Sequence, residues 1–204
     1  MSALIARRAL PAPSERWAAA GRAAVLLVAL GALVLLRAAT NGTSVASALA
    51  SGAVFGVTLI LMAKWPLTPH AWRLPGRRSV AIGLIGGLLL IAVPVLIQPG
   101  PRPIGLRPEP FAAWALVTSL VAVGEEALLR GALFDAVKTT GGLITAIAVT
   151  SVVFALMHVP LYGWSVVPVD IGAGVILGGL RILGRGVSAP AVAHTFADLA
   201  TWWL

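Results

Sequence analysis

Long apolar segments, separated by short connections rich in glycine and proline, make up most of this chain. An α-helix rises about 1.5 Å per residue, so about 20 apolar residues cross the ~30 Å hydrocarbon core of a bilayer. The segments approach this length over residues 18–36, 45–63, 80–97, 111–134, 143–160, 166–183 and 189–204. The sequence therefore predicts an all-α, polytopic transmembrane helix bundle of about seven spans, within a range of six to eight.

The composition is that of a membrane protein. Hydrophobic residues account for 59% of the 204 residues, charged residues account for 11%, and the mean hydropathy is +0.96. The absence of cysteine excludes disulfides, thiol catalysis and thiolate metal sites. The net charge of +8 does not indicate a nucleic acid partner, because the basic residues flank apolar segments and form no patch interleaved with aromatic residues.

The distribution of lysine and arginine predicts the orientation in the bilayer. A cytoplasmic N-terminus puts most basic residues inside, as the positive-inside rule requires. The inside set is Arg7, Arg8, Arg16, Arg22, Lys64, Arg73, Arg77, Arg78, Lys138, Arg181 and Arg185, and the outside set is Arg37, Arg102 and Arg107. We therefore expect an integral membrane protein with its N-terminus inside. The richness in alanine, arginine and glycine is typical of high-GC bacterial genes and suggests the bacterial inner membrane.

The spans are predicted to form a single integral membrane domain in two parts. Residues 1–110 contribute about three N-terminal spans, and residues 111–204 contribute a core of about four. Pairs of glycines four residues apart allow two helix backbones to approach closely. Such pairs occur at Gly52 and Gly56, Gly83 and Gly87, and Gly174 and Gly178.

Ionisable residues inside the apolar segments are the candidates for function. A charge at membrane depth costs from a few to more than ~10 kcal/mol, so such groups usually line a polar cavity and carry function. The acids within predicted spans are Glu125, Glu126, Asp170 and Asp198, and the histidines are His158 and His194.

The two adjacent glutamates point in different directions on a helix. Glu126 and Arg130 are four residues apart, so they lie on one face and can form an ion pair that neutralises both. Glu125 points about 100° away and has no such local partner. Glu125 is therefore the candidate general base.

Counting along the chain places a histidine at the height of Glu125. If the fourth and fifth spans turn at residues 141–142, Glu125 lies sixteen residues before the turn and His158 lies sixteen residues after it. Phe154 lies one helical turn before His158 on the same face and can shield or orient its ring.

The last span supplies a second polar pair, because His194 and Asp198 project from one face at i, i+4. A water between Glu125 and His158 can lose a proton and attack a carbonyl, while His194, and Asp198 if protonated, hydrogen-bond the developing oxyanion. No serine has the flanking residues of a nucleophile elbow. These residues favour peptide hydrolysis inside the bilayer.

Four motifs between Phe111 and Leu204 together resemble one family. EEALLR at 125–130 is similar to its EExxxR motif, and FALMH at 154–158 is similar to FxxxH. Residues 178–194 resemble the glycine-arginine-glycine approach to its third motif, and residues 194–198 fit HxxxN/D. In this order the motifs resemble the CPBP membrane proteases, the group that contains the CAAX prenyl proteases.

The resemblance implies an intramembrane endopeptidase of the glutamate type that cleaves a membrane-associated or prenylated-type peptide or protein. Glu125 and His158 would activate the water. His194 would stabilise the oxyanion together with Asp198, which stands where many members carry asparagine. Neither a metal nor another cofactor is implied. Supporting roles would fall to Glu126, Arg130 and Phe154.

Other interpretations of these residues are open. Glu125, His158 and His194 have suitable ligand types for zinc, although no HExxH pattern is present. A non-catalytic scaffold or immunity-type binding protein of the same fold is the alternative function, and Asp198 is the feature that favours it. Asp170 belongs to no motif, and we expect a structural role for it. The sequence does not specify the oligomeric state.

Overall fold

The computed structural model describes residues 11–42, 44–64, 75–97 and 110–203, and over these ranges the chain is all-helical. A π-helical segment, Ala127–Leu133, joins the fourth helix to the fifth, and a short 3-10 turn, Trp164–Val166, precedes the sixth. The α-helices in the described ranges are α1 (Pro13–Thr40), α2 (Val45–Ala63), α3 (Arg77–Ile97), α4 (Phe111–Glu126), α5 (Phe134–Tyr162), α6 (Val167–Leu183) and α7 (Ser188–Ala200).

The first helices begin where the sequence provides the appropriate residues. Proline occupies the first position of α1, where its missing N–H leaves no hydrogen bond unmade. The side chain of Ser44 caps α2 by accepting a hydrogen bond of 3.1 Å from the backbone N–H of Ser47. The range of α2 is the predicted one, whereas α1 extends beyond its apolar core at both ends.

The chain reverses at Gly142. Its φ of 84° and ψ of −177° lie in a region that is essentially open to glycine alone. Arg130 before the turn and Phe154 after it would lie about 36 Å apart in one straight helix. Instead, the guanidinium carbon of Arg130 lies 4.7 Å from the Phe154 ring centroid. The predicted hairpin at residues 141–142 is therefore confirmed, and the part of α5 after Gly142 is a return helix.

Four helical stretches among the described residues are long and apolar enough to cross a membrane: Pro13–Thr40, Val45–Ala63, Phe111–Tyr162 and Trp164–Leu183. The third has 52 residues and contains the reversal at Gly142, so it consists of two antiparallel helices. The predicted last span is shorter than expected. It forms α7, whose 13 residues extend about 20 Å and end at Ala200, while Leu204 lies outside the described residues.

The three predicted glycine pairs all lie at contacts between helices. A Cβ atom added to any of these six glycines would lie between 2.6 and 3.2 Å from an atom of the facing helix. The close approach predicted from their spacing is therefore confirmed. The contacts join Gly52 and Gly56 of α2 to α4, Gly83 and Gly87 of α3 to α7, and Gly174 and Gly178 of α6 to α5.

The outer surface of the bundle is apolar, whereas charged side chains lie inside. Large hydrophobic side chains such as Val28, Ile85 and Ile144 are more than half exposed. Glu126 and Arg130, in contrast, have no exposed surface. This inverted arrangement, together with the length and hydropathy of the helices, is that of an integral membrane protein.

Candidate active site

All the helices of the described bundle contribute to one cavity of about 750 Å³. Most of its lining is apolar, but five acidic or histidine side chains enter it from four different helices. They are Glu125 of α4, His158 of α5, Asp170 of α6, and His194 and Asp198 of α7. The helices thus bring together all four residues to which the sequence assigns catalysis, and they add Asp170.

Glu126 and Arg130 form the predicted ion pair beneath this cavity. Arg130 Nη1 donates to Glu126 Oε1 over 2.9 Å, and both side chains are fully buried. Arg130 Nη2 also donates to the carbonyl oxygen of Gly174 over 3.3 Å. The guanidinium therefore links the π-helical segment to α6 as well as neutralising Glu126.

The π-helical winding begins directly after the two glutamates. Ala127–Leu133 is wound more widely than an α-helix, and Arg130 lies at its centre. Such segments occur frequently at functional sites. The close packing of Gly124 fixes the position of this region, because a Cβ on Gly124 would lie 2.7 Å from the carbonyl oxygen of Gly56 in α2. Glu125 is only 3% exposed as a result of this packing.

His194 lies among three carboxylates. Its Nδ1 is 3.0 Å from Glu126 Oε1, and its Nε2 is 3.8 Å from Glu125 Oε2 and 3.5 Å from Asp198 Oδ2. An ionised carboxylate only accepts hydrogen bonds, so Nδ1 donates to Glu126 in the tautomer that carries a proton on Nδ1. Glu126 thereby orients the ring so that Nε2 faces the cavity.

His158 has a carboxylate partner, Asp170, that the sequence does not predict. Asp170 Oδ2 lies 3.1 Å from His158 Nδ1, at ion-pair distance but without the alignment of a hydrogen bond. Both side chains are partly buried, with exposed fractions of 16% and 21%. The acid at the start of α6 is thus placed to orient the histidine on α5.

Phe154 separates the two histidines. Its ring stands edge-on to His158, at 4.8 Å between centroids, and edge-on to His194, at 5.3 Å. The Phe154 ring also contacts Arg130, whose guanidinium lies over the face of the ring. The predicted contact between Phe154 and His158 is present, and the same ring also restrains His194.

The sequence does not predict two contacts of the site, Asp170 with His158 and Glu126 with His194. Asp170 and Glu126 are acids at membrane depth, which marks both as candidates for function. The spacing along one helix shows neither that Asp170 meets His158 nor that Glu126 meets His194. The contact of Asp170 with His158 joins the consecutive helices α5 and α6, and the contact of Glu126 with His194 joins residues 68 positions apart.

Among the residues that the structure describes, no group of three or more histidine or acidic side chains has the arrangement of a metal site. Glu125 and His194 lie close together, but the nearest acidic oxygen to His158 within ion-pair distance belongs to Asp170. The three side chains considered for zinc therefore do not converge on one point in this arrangement.

Comparison with known proteins identifies one family. Residues 107–200 match the model of the family described as Type II CAAX prenyl endopeptidase Rce1-like, which is a protease family. No curated protein matches the chain. No solved structure matches it either. The matched range contains Glu125, His158, His194 and Asp198, and it agrees with the resemblance found in the motifs. Residues 107–200 of this chain are therefore similar to the Type II CAAX prenyl endopeptidase Rce1-like family.

Proposed function

We propose that this protein is an intramembrane endopeptidase that hydrolyses a peptide bond with a water molecule activated by glutamate and histidine. The observation that carries the proposal is the convergence of Glu125, His158 and His194, from three separate helices, on one cavity of an otherwise apolar bundle. The family match over the same residues supports it. Groups that are so costly to place in a membrane are retained for a task.

In the proposed reaction, Glu125 and His158 hold the attacking water. Glu125 accepts a proton from the water while the water oxygen forms a bond to the carbonyl carbon of the scissile peptide. The carbonyl π electrons move to the oxygen, which becomes an oxyanion. When the C–N bond breaks, the proton passes from Glu125 to the departing amine, so the products are an acid and an amine and the glutamate is restored.

His194 is proposed to stabilise the oxyanion through Nε2. A ring that donates from Nδ1 to Glu126 and from Nε2 to an oxyanion carries both protons. Removal of one oxyanion donor from a hydrolase typically lowers kcat by about 10²–10³-fold. Because Glu126 is itself held by Arg130, the buried ion pair fixes the orientation of the donor without touching the substrate.

Asp170 is proposed as a positioning residue for His158. A carboxylate close to Nδ1 favours the tautomer that carries its proton there, and this leaves Nε2 free to accept from the water. We assign Asp170 this role in place of the structural one expected from the sequence, because its Oδ2 lies 3.1 Å from the ring.

The substrate is proposed to be a peptide or protein held at the membrane. Residues 107–200 match the model of a family named for prenyl endopeptidases, and a prenylated-type segment is one substrate that this name suggests. The location we propose is the bacterial inner membrane, with the N-terminus in the cytoplasm.

The decisive experiment compares the purified wild-type chain with Glu125→Gln in detergent. A pool of apolar peptides is incubated with each protein, and new termini are identified by mass spectrometry. We expect at least about a 100-fold loss of cleavage in Glu125→Gln, the lower range for loss of general base catalysis. Glu15→Gln, in the first turn of α1 far from the cavity, is the matched control and should cleave normally. Equal cleavage by Glu125→Gln would contradict the proposal.

A chelator arm tests the zinc alternative in the same experiment. We expect 1,10-phenanthroline to leave cleavage unchanged, because no step of the proposed mechanism uses a metal. Loss of cleavage with the chelator, and its restoration by added Zn²⁺, would replace the proposed mechanism with a metal-assisted one.

Asp198 supports the non-catalytic alternative. Its Oδ2 lies 3.5 Å from His194 Nε2, so the carboxyl group occupies the region in which an oxyanion would form. Like charges at this position oppose catalysis unless Asp198 carries a proton. Saturable peptide binding without cleavage, retained in Glu125→Gln, would identify a binding protein of this fold.

A further inference from the structure

We propose that Arg37 binds a carboxylate of the peptide substrate at the end of the reaction cavity beyond His158. This inference rests on the proposed function and deepens it, because it assigns a substrate class to the same cavity. Arg37 lies near the C-terminal end of α1, outside the range 107–200 that matches the family.

Arg37 enters the cavity without a carboxylate partner among the described residues. Among the described residues that line the cavity, Arg37 is the one lysine or arginine. The acidic residues of the same lining are Glu125, Asp170 and Asp198. None of the described carboxylates lies at ion-pair distance from it, and its buried Nε has no hydrogen-bond partner. A partly buried guanidinium in a membrane helix normally has a partner. The missing partner indicates a ligand with negative charge.

The guanidinium is held in place by an aromatic ring. The guanidinium carbon of Arg37 lies 4.4 Å from the centroid of Phe55, which is only 2% exposed. Arginine retains its planar set of donors when it stacks in this way. Phe55 immediately precedes Gly56, which packs directly against Gly124, the neighbour of Glu125. The cation and the proposed general base are therefore positioned by the same contact between α2 and α4.

The rise per residue along α1 and along the return helix of α5 gives the distance between Arg37 and His158 along the bundle. The start of α1 lies at the level of the turn from which the return helix begins, because Arg16 Nη2 donates to the carbonyl oxygen of Thr140, two residues before Gly142, over 3.1 Å. From that end, Arg37 lies 21 residues along α1, or about 32 Å. His158 lies 16 residues beyond Gly142, or about 24 Å. The difference of about 8 Å along the bundle corresponds to two or so extended peptide residues.

A carboxylate is the ligand that fits this side chain best. A guanidinium and a carboxylate form two parallel, charge-assisted hydrogen bonds. Neutral peptide or hydroxyl groups form weaker hydrogen bonds with the guanidinium. The cavity of about 750 Å³ has the size of a pocket for a small ligand or short peptide. The carboxylate has two possible sources in a peptide, the free C-terminus and an acidic side chain.

Binding of three matched peptides tests the proposal and separates these sources. One apolar peptide has a free C-terminus, the second has the same sequence with a C-terminal amide, and the third is the amide with one residue near its C-terminus replaced by glutamate. Affinities are measured by fluorescence anisotropy on Glu125→Gln, which is not expected to cut them, and on the same chain with Arg37→Gln or Arg37→Lys. The matched control is Arg78→Gln, at an exposed position at the start of α3.

We expect Arg37→Gln to weaken binding of a carboxylate peptide by about 10- to 100-fold, as for loss of a hydrogen bond to a charged group. The neutral amide should bind equally to both chains, and Arg37→Lys should retain part of the preference. A loss confined to the first peptide assigns a terminal carboxylate, and a loss confined to the third assigns an acidic side chain. Equal losses for all three peptides, as expected if Arg37 binds a lipid phosphate or supports the fold, would overturn the proposal, as would no loss.

The outcome is distinguishable from failure of the proposed function. Cleavage by the wild-type chain is recorded separately on the same three peptides. If no peptide is cut but the carboxylate preference depends on Arg37, the endopeptidase proposal fails and the anion site stands. If the peptides are cut without any such preference, the endopeptidase proposal stands and the role of Arg37 is wrong.

Discussion

The buried pair of Glu126 and Arg130 provides a quantitative test of how charge is held inside this bundle. We consider Glu126→Gln, Arg130→Met and the double variant. Arg130→Met leaves the carboxylate of Glu126 fully buried, with His194 Nδ1 at 3.0 Å and with Oε2 already lacking a hydrogen-bond partner. Breaking a buried pair from one side costs about 3–5 kcal/mol. We therefore expect Arg130→Met to lower the free energy of unfolding by about this amount.

The double variant should be less destabilised than the sum of the two single variants. Neither glutamine nor methionine carries a charge, so neither substituted position leaves an uncompensated charge in the core. The contacts of Arg130 with Gly174 and Phe154 are lost in either case. We expect a coupling free energy of about 1–3 kcal/mol between the two positions, within the range for residues that share one network.

Unfolding by SDS titration in mild detergent, followed by circular dichroism, measures all three changes. Arg78→Met, at an exposed position at the start of α3, is the matched control. A surface substitution away from packed or paired groups usually changes stability by no more than about 0.5 kcal/mol, so the control should change stability much less. Additive costs for Glu126→Gln and Arg130→Met, or a control as destabilised as Arg130→Met, would refute the reasoning.

Two further predictions concern positioning and packing. Asp170→Asn should lower kcat by about 10- to 100-fold, a part of what positioned proton transfer contributes. It should also change the pH profile of cleavage, since His158 loses its carboxylate partner. Asp170→Glu should partly rescue both, and an unchanged profile would exclude the positioning role. Gly124→Ala should destabilise the bundle by about 1–3 kcal/mol through overpacking against Gly56. Gly31→Ala meets nothing within 4 Å and should be neutral or stabilising in the same SDS titration.

Features that depend on spacing along one helix or on one turn could be predicted from the sequence. The i, i+4 separation of Glu126 and Arg130 predicts their pair because both side chains lie on one face whatever the helix packs against. The double glycine at 141–142 predicts the reversal because only glycine adopts the observed backbone at Gly142 without strain. Hydropathy predicts where the apolar part of most helices lies, since lipid tolerates few alternatives to a continuous helix. It does not predict the ends of every helix, because α1 is longer and α7 is shorter than expected.

Features that depend on the rotation of one helix against another could not be predicted. His194 contacts Glu126 through Nδ1 because α7 is rotated toward α4, and apolar helices carry little polar pattern to specify that rotation. The contact of Asp170 with His158 depends similarly on how α6 lies across α5. The π-helical segment has no signature in residues 127–133, whose side chains are almost all suited to an α-helix.

The described structure divides the site between two parts of the chain with different tasks. The groups proposed to break the peptide bond all lie in the range 107–200, and they hold one another through Glu126, Asp170 and Phe154. Helices α1, α2 and α3, which lie outside that range, also line the cavity. We expect selection of the substrate to depend on side chains of these three helices, among which Arg37 is the charged residue in the described lining. Substitutions in α1–α3 should therefore change which peptides are cut, while substitutions in α4–α7 should change whether any peptide is cut.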